Sequence, residues 1–197
     1  MKPLRRTRSG LVRERWLPLE TPRLILRDVR ETDFDDIHAY ATDPEVVRYM
    51  FWGPNTPEVT RKVLDGWLKD QRRWPRKVVN MAAEHRADGR MIGAVRFAVI
   101  DAKTGTCDFG YSFHRAYWNQ GLATEAAGAV VDLAFGRLGL RRVFATCDAR
   151  NTGSWRVMEK LGMRREACFR QDTRAQDGWR DTYLYALLAD EWRARSE

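Results

Sequence analysis

The chain has 197 residues, 44% of them apolar, which is enough to bury one sizeable core, and nothing in it marks a second domain. Its formal charge of +8 favours an anionic partner such as a cofactor phosphate, an acidic protein surface or RNA, but many of the arginines read as solvated surface and a dedicated nucleic-acid face is not expected. Three cysteines without a Cys-x-x-Cys pair suit a reduced compartment, three isolated histidines argue against a zinc site, and no apolar run approaches a membrane span or a signal peptide, so a cytoplasmic protein with no metal and no membrane partner is expected.

Residues 1–15 are rich in arginine and carry no apolar period, which predicts a disordered basic arm ahead of a single domain over residues 16–197. Residues 24–29 read as the first strand. Thr32, followed by acidic residues, reads as a helix N-cap, and Asp43-Pro44 opens a second short helix by the same logic. The aromatic stretch 47–53 has two readings, core packing of this helical pair or a wall of a substrate pocket. Thr56-Pro57 caps a helix whose apolar face is Val59, Val63, Leu64, Trp67 and Leu68, with an end expected near Trp74-Pro75. Strands over 78–85 and 91–100 flank a hairpin signal at 87–90, and a turn at 101–105 leads into a strand over 107–113, so the middle of the chain is an antiparallel meander.

After a loop, Gly121 begins a helical pattern with Leu122, Ala126, Val130, Leu133 and Ala134 on one stripe. Strand, side-chain-poor loop and helix start together offer unpaired N–H groups and a positive dipole end to an anion; an ordinary capped helix is the alternative. Neither Gly-x-x-x-x-Gly-Lys-Ser/Thr nor Gly-x-Gly-x-x-Gly occurs here. Gly139 stops the helix, and the strand over 142–147 must run parallel to that over 107–113 because a helix joins them, which makes a single βαβ unit. Asn151 or Thr152 caps a helix that runs through Leu161 and closes at Gly162. Strands over 163–169 and 181–188 form a final antiparallel pair.

Asp108-Phe-Gly-Tyr111 followed by Tyr117-Trp-Asn-Gln-Gly-Leu-Ala-Thr-Glu-Ala126 resembles the acyl-CoA signature of the GNAT N-acetyltransferase superfamily, most closely its RimJ/RimL branch. Asn151-Thr-Gly-Ser154 leading into Val157-Met-Glu-Lys-Leu-Gly-Met163, and the opening Leu19-Glu-Thr-Pro-Arg-Leu-Ile-Leu-Arg27, agree with it, so the similarity spans roughly residues 19–192. The resemblance implies an α+β fold: a mixed, mostly antiparallel sheet of six to seven strands with one central parallel βαβ unit and helices on both faces. It also implies acetyl-CoA as cosubstrate. Trp118, Asn119, Gln120, Gly121, Leu122, Ala123 and Thr124 would form the pyrophosphate loop, and the strand ending at Phe113 would pair with the pantetheine like an added strand. Asn151 would bond the pantetheine arm; a helix cap is its other reading, and the two are compatible.

Relatives often carry a tyrosine seven residues after this asparagine as the acid for the departing thiolate; here that position is Met158, which has no proton to give. The branch points instead to Ser154, whose hydroxyl would stabilise the sulfur. Asp108 and Glu84 are the candidate bases, with arginine-paired strand carboxylates as the alternative for each, and Asp181 is expected to tie down the loop before the last strand. No Cys or Ser with a nearby His argues for a covalent intermediate. The expected activity is direct acetyl transfer to a primary amine, for which the branch suggests a protein N-terminal α-amine such as that of a ribosomal protein. A small-molecule amine, or a catalytically weak CoA-binding module that uses the basic arm on the ribosome, are the alternatives, and a homodimer is left open.

Overall fold

The computed structural model describes residues 16–73, 75–175 and 178–195; the expected basic arm over 1–15 lies outside them. Eight strands form one sheet in the order β1-β2-β3-β4-β5-β6-β8-β7. They are β1 (Leu19–Glu20), β2 (Leu24–Asp28), β3 (Val78–His85), β4 (Arg90–Asp101), β5 (Thr106–Phe113), β6 (Arg142–Asp148), β7 (Arg164–Ala175) and β8 (Gly178–Leu188). Every neighbouring pair is antiparallel except β5 and β6. This is the mixed sheet with one parallel unit that the resemblance implied. The count exceeds six to seven by β1, a two-residue strand too short to carry a period.

The helices are α1 (Phe34–Ala41), α2 (Pro44–Val47), α3 (Pro57–Gln71), α4 (Leu122–Asp132), α5 (Thr152–Lys160) and α6 (Ala189–Arg193). Two cores result, one on each face of the sheet. Strand alternation sends Leu24, Leu26, Met81, Val95, Phe97, Cys107, Phe109, Val143 and Ala145 to the core that Leu122, Ala126, Val130 and Met158 of α4 and α5 close. The other face gives Val29, Ala82 and Met91 to a smaller core with Ile37, Tyr40, Leu64 and Leu68 of α1 and α3. Met91 and its neighbour Ile92 face opposite cores, but Val95 joins Ile92. A bulge makes this possible, because Ala83 pairs with Gly93 and Glu84 with Met91, leaving Ile92 as the extra residue.

Several expected boundaries move. Thr32 caps nothing: Glu31–Asp33 form a 3-10 turn before α1, and the carboxylate of Asp33 accepts from the Arg30 N–H at 2.7 Å and from Arg27. The helix α3 ends at Gln71, short of Trp74-Pro75. After α4 the chain makes a π turn over Leu133–Arg137, and Gly139 leaves it with φ +59°. The final hairpin reaches further toward its turn than expected, where Thr173–Ala175 pair with Gly178–Arg180. Among the described residues no helix is long and apolar enough to cross a membrane.

Candidate functional site

The parallel pair is brief. β5 and β6 pair at Thr106↔Arg142, Cys107↔Val143 and Asp108↔Phe144, and no further. Beyond Asp108, β5 stays with β4 as far as Phe113, while β6 stays with β8 as far as Asp148. The two strands therefore part into a wedge whose apex is Asp108. The backbone of β5 from Phe109 onward is a strand edge that β6 does not pair, and such an edge can take an extended chain as an added strand.

A hydrogen bond spans the wedge. The Tyr111 hydroxyl donates to the Ser154 carbonyl at 2.9 Å and lies 3.3 Å from Ser154 Oγ. Burial pushes the Tyr111 phenol well above its ordinary range, so it is neutral. Asn151 places Ser154: its side-chain oxygen accepts from the Ser154 N–H at 3.1 Å as the cap of α5. On β6, the Cys147 thiol faces the same space, raised by burial to about 11 although Ser154 offsets part of that shift. Met158 is sealed in the core.

At the wide end of the wedge the chain turns into α4. Asn119 has φ +60° and Gly121 φ +78°, so two left-handed residues set the loop just ahead of the helix. Leu122, Ala123 and Thr124 follow as its first turn, where N–H groups have no carbonyl four residues back. The leucine side chain is buried, which leaves backbone as the surface on offer. The Trp118 indole N–H donates to the Phe113 carbonyl at 2.8 Å and its backbone N–H to the Arg115 carbonyl at 3.1 Å; Phe113 itself is a core residue. Gln120 donates to the Ala116 carbonyl at 3.0 Å.

Two anchors hold this loop that sequence reasoning missed. Arg23 donates to the Gln120 carbonyl at 2.9 Å, and Glu125, in the first turn of α4, accepts from Arg23 Nε at 2.6 Å, the Arg23 N–H at 2.7 Å and the Thr21 hydroxyl at 2.6 Å. Burial works against the charge of Glu125, but the hydrogen bonds from Thr21 and Arg23 outweigh it and hold the carboxyl below its usual range. Tyr117 supplies the second anchor by donating to Asp88, in the β3–β4 turn, at 2.6 Å. Arg23 lay in the opening stretch that carried the resemblance, but nothing in its spacing pointed to a loop almost a hundred residues away.

The two candidate bases are not brought together. Asp108 sits at the apex with both carboxylate oxygens on Arg96 Nη1, at 2.8 and 2.9 Å. Glu84 is two strands away on β3, where it pairs with Arg27 and Arg30. Arg27 is buried and grips Asp33 through two 2.8 Å bonds, so Glu84 belongs to a structural ion cluster under α1 and does not reach the wedge. Asp181 also differs from expectation, lying inside β8, where it accepts from Gln171 N at 2.9 Å and so fixes the β7 bulge. Among the described residues no cluster of His, Cys, Asp and Glu could hold a metal ion.

The aromatic stretch after α2 divides its roles. Val46 and Val47 are buried and Trp52 packs against the smaller core, whereas Phe51 is 93% exposed. The Arg48 carbonyl accepts from Arg180 at 3.1 Å, and Arg150 lies 5.8 Å over the Tyr49 ring. Both arginines also bind Asp148 at the end of β6. The segment is thereby tied to the open end of the wedge, on the face opposite α4.

An unpaired strand edge and a serine hydroxyl thus meet across the wedge, and the chain leaves its wide end into the start of α4. Residues 23–164 match the sequence profile described as Acetyltransferase (GNAT) domain. The chain is 31% identical over 174 residues to the uncharacterized N-acetyltransferase YnaD of Bacillus subtilis (strain 168), covering 88% of this chain and 98% of that one. It is 27% identical over 133 residues to the ribosomal-protein-serine acetyltransferase of Escherichia coli (strain K12), covering 68% and 72% of the two. Among solved structures, an acetyltransferase (GNAT family) from Bacillus anthracis superposes with a TM-score of 0.79 at 32% identity, covering 89% of this chain and 100% of that one.

Proposed function

The chain belongs to the GNAT acetyltransferases, and from that membership we propose that it transfers the acetyl group of acetyl-CoA by direct attack to a protein N-terminal α-amine. Acetyltransferase activity and the use of acetyl-CoA follow from the family. In our reading the first turn of α4 after Gly121 takes the pyrophosphate, the β5 edge beyond Asp108 takes the pantetheine, and Ser154 meets the sulfur. Such positioning supplies much of the rate, since a well-oriented pair gains an effective molarity worth roughly 7–11 kcal/mol.

The acceptor class rests on one observation: both candidate carboxylates already hold arginine, Asp108 with Arg96 and Glu84 with Arg27. At pH 7 a lysine side chain, with a pKa of about 10.4, is neutral in fewer than about one molecule in a thousand and needs a strong base; an α-amine, near about 7.7–8.0, is neutral in about one in ten unaided, a fraction the reaction can draw on. The similarity to a ribosomal-protein-serine acetyltransferase supports a protein acceptor. The test is release of free CoA from acetyl-CoA over peptides with varied N-termini, lysine peptides with blocked N-termini, polyamines and aminoglycosides. Turnover on free N-termini is expected; a preference for blocked lysine peptides or a small amine would overturn the reading.

A further inference from the structure

We infer that Tyr111 is the positioning residue that orients the Ser154 hydroxyl toward the departing sulfur. The inference rests on the reading of Ser154 given above and adds what aims it.

Tyr111 lies three residues beyond the last parallel rung, where β5 has already left β6, and it is the residue by which the β5 wall of the wedge grips α5. Its phenol is part-buried and neutral, so it has one proton to donate. The Ser154 carbonyl, 2.9 Å away, can only accept, and it takes that proton. The oxygen that Tyr111 then turns to the Ser154 hydroxyl carries lone pairs alone. Ser154 must therefore be the donor in the second contact. At 3.3 Å that contact is longer than the usual O–H···O range, so the serine proton is directed but weakly held.

A sulfur that gains charge is a far better acceptor than a phenol oxygen, because charge-assisted bonds are about twice as strong as neutral ones. In the transfer the nitrogen–carbon bond forms, the carbon–sulfur bond breaks, its electron pair goes to sulfur, and the proton of the amine leaves to water. Ser154 gives the sulfur a hydrogen bond throughout and keeps its own proton. Tyr111 is not itself the acid: its proton is committed to the Ser154 carbonyl. With Met158 apolar, the helix offers no phenol of its own, and the strand supplies one to aim the serine instead.

The test uses binding of CoA and of desulfo-CoA, which lacks the thiol, measured by calorimetry at pH 7 and pH 9.5 on the full-length protein, Tyr111→Phe, Ser154→Ala and the double variant. Phenylalanine keeps the ring contact with Phe109 and removes only the hydroxyl. The wild-type preference for CoA over desulfo-CoA should grow about 5-fold or more between the two pH values as the bound thiol ionises. Tyr111→Phe and Ser154→Ala should each remove most of that growth, and the double variant no more than Ser154→Ala alone. A Tyr111→Phe protein with the wild-type growth, or a double variant that loses more than Ser154→Ala, overturns the inference. Equal desulfo-CoA binding by all four proteins upholds the cofactor site whatever the pH arms give. Wild-type protein that binds neither compound refutes that site and the inference with it.

Discussion

Replacing Glu125 by Gln tests how the phosphate loop is held. The carboxylate accepts three hydrogen bonds, from the Thr21 hydroxyl and the Arg23 N–H on one oxygen and from Arg23 Nε on the other. Glutamine keeps one carbonyl oxygen for the first two, but turns an amide N–H toward Arg23 Nε–H, donor against donor. Arg23 is 46% exposed, so water screens the lost ion pair to about 1 kcal/mol or less. Weakening two charge-assisted bonds into neutral ones adds a similar amount, for a total of about 1–2 kcal/mol. In a chain of this size that lowers the melting temperature by about 3–6 °C. Freed from Glu125, Arg23 also loosens its hold on the Gln120 carbonyl, so acetyl-CoA should bind about 3- to 10-fold more weakly.

The pH dependence has a definite sign. Against the upward push of burial, the bonds from Thr21 and Arg23 depress the folded-state pKa of Glu125. The stabilisation is therefore complete above the unfolded value of about 4.3 and is lost as pH falls through the lower folded value. Thermal melts of wild type and Glu125→Gln should differ most near pH 7 and draw together as pH falls below the unfolded value of about 4.3. Equal melting temperatures at pH 7 together with equal acetyl-CoA affinity would refute this account of the loop.

Gly121→Ala places an L residue at φ +78° and a methyl group 3.5 Å from Arg23 Nη2; it should cost about 1–2 kcal/mol in a denaturant melt, and Gly121→Trp should in addition abolish acetyl-CoA binding by calorimetry in a protein that still folds. Gly93→Ala sets a methyl group against the Ser112 carbonyl and 2.8 Å from the Phe113 ring, where β4 and β5 pair, so a loss of more than about 2 kcal/mol is expected from the same melt. Asp108→Asn removes the partner of Arg96 at the wedge apex. Because Arg96 already holds Asp108 and the amine's proton leaves to water, turnover on an α-amine should fall by the same factor at pH 6.5 and pH 9, and a larger fall at pH 6.5, where a base matters more, would make Asp108 the base.

What could be read locally in the sequence was largely what local physics controls. Thr56 and Asp43 cap their helices as written, because an N-cap bond closes within three residues. The direction of β6 followed from the helix between it and β5. The start of α4 after Gly121 was legible from the apolar stripe that begins at Leu122. Other features depended on the fold. Thr32 satisfied every rule for a cap and lost the role because Asp33 was claimed by Arg27, which burial obliges to find carboxylates. Glu84 and Asp108 had equal standing as bases until the sheet order put one under α1 and the other at the wedge apex. The wedge itself, Tyr111 across it and Arg23 beneath the loop unite residues 43 and 97 positions apart. Contacts of that range leave no period and no spacing in the chain, because they are set by which strands diverge and which faces meet once the core has packed.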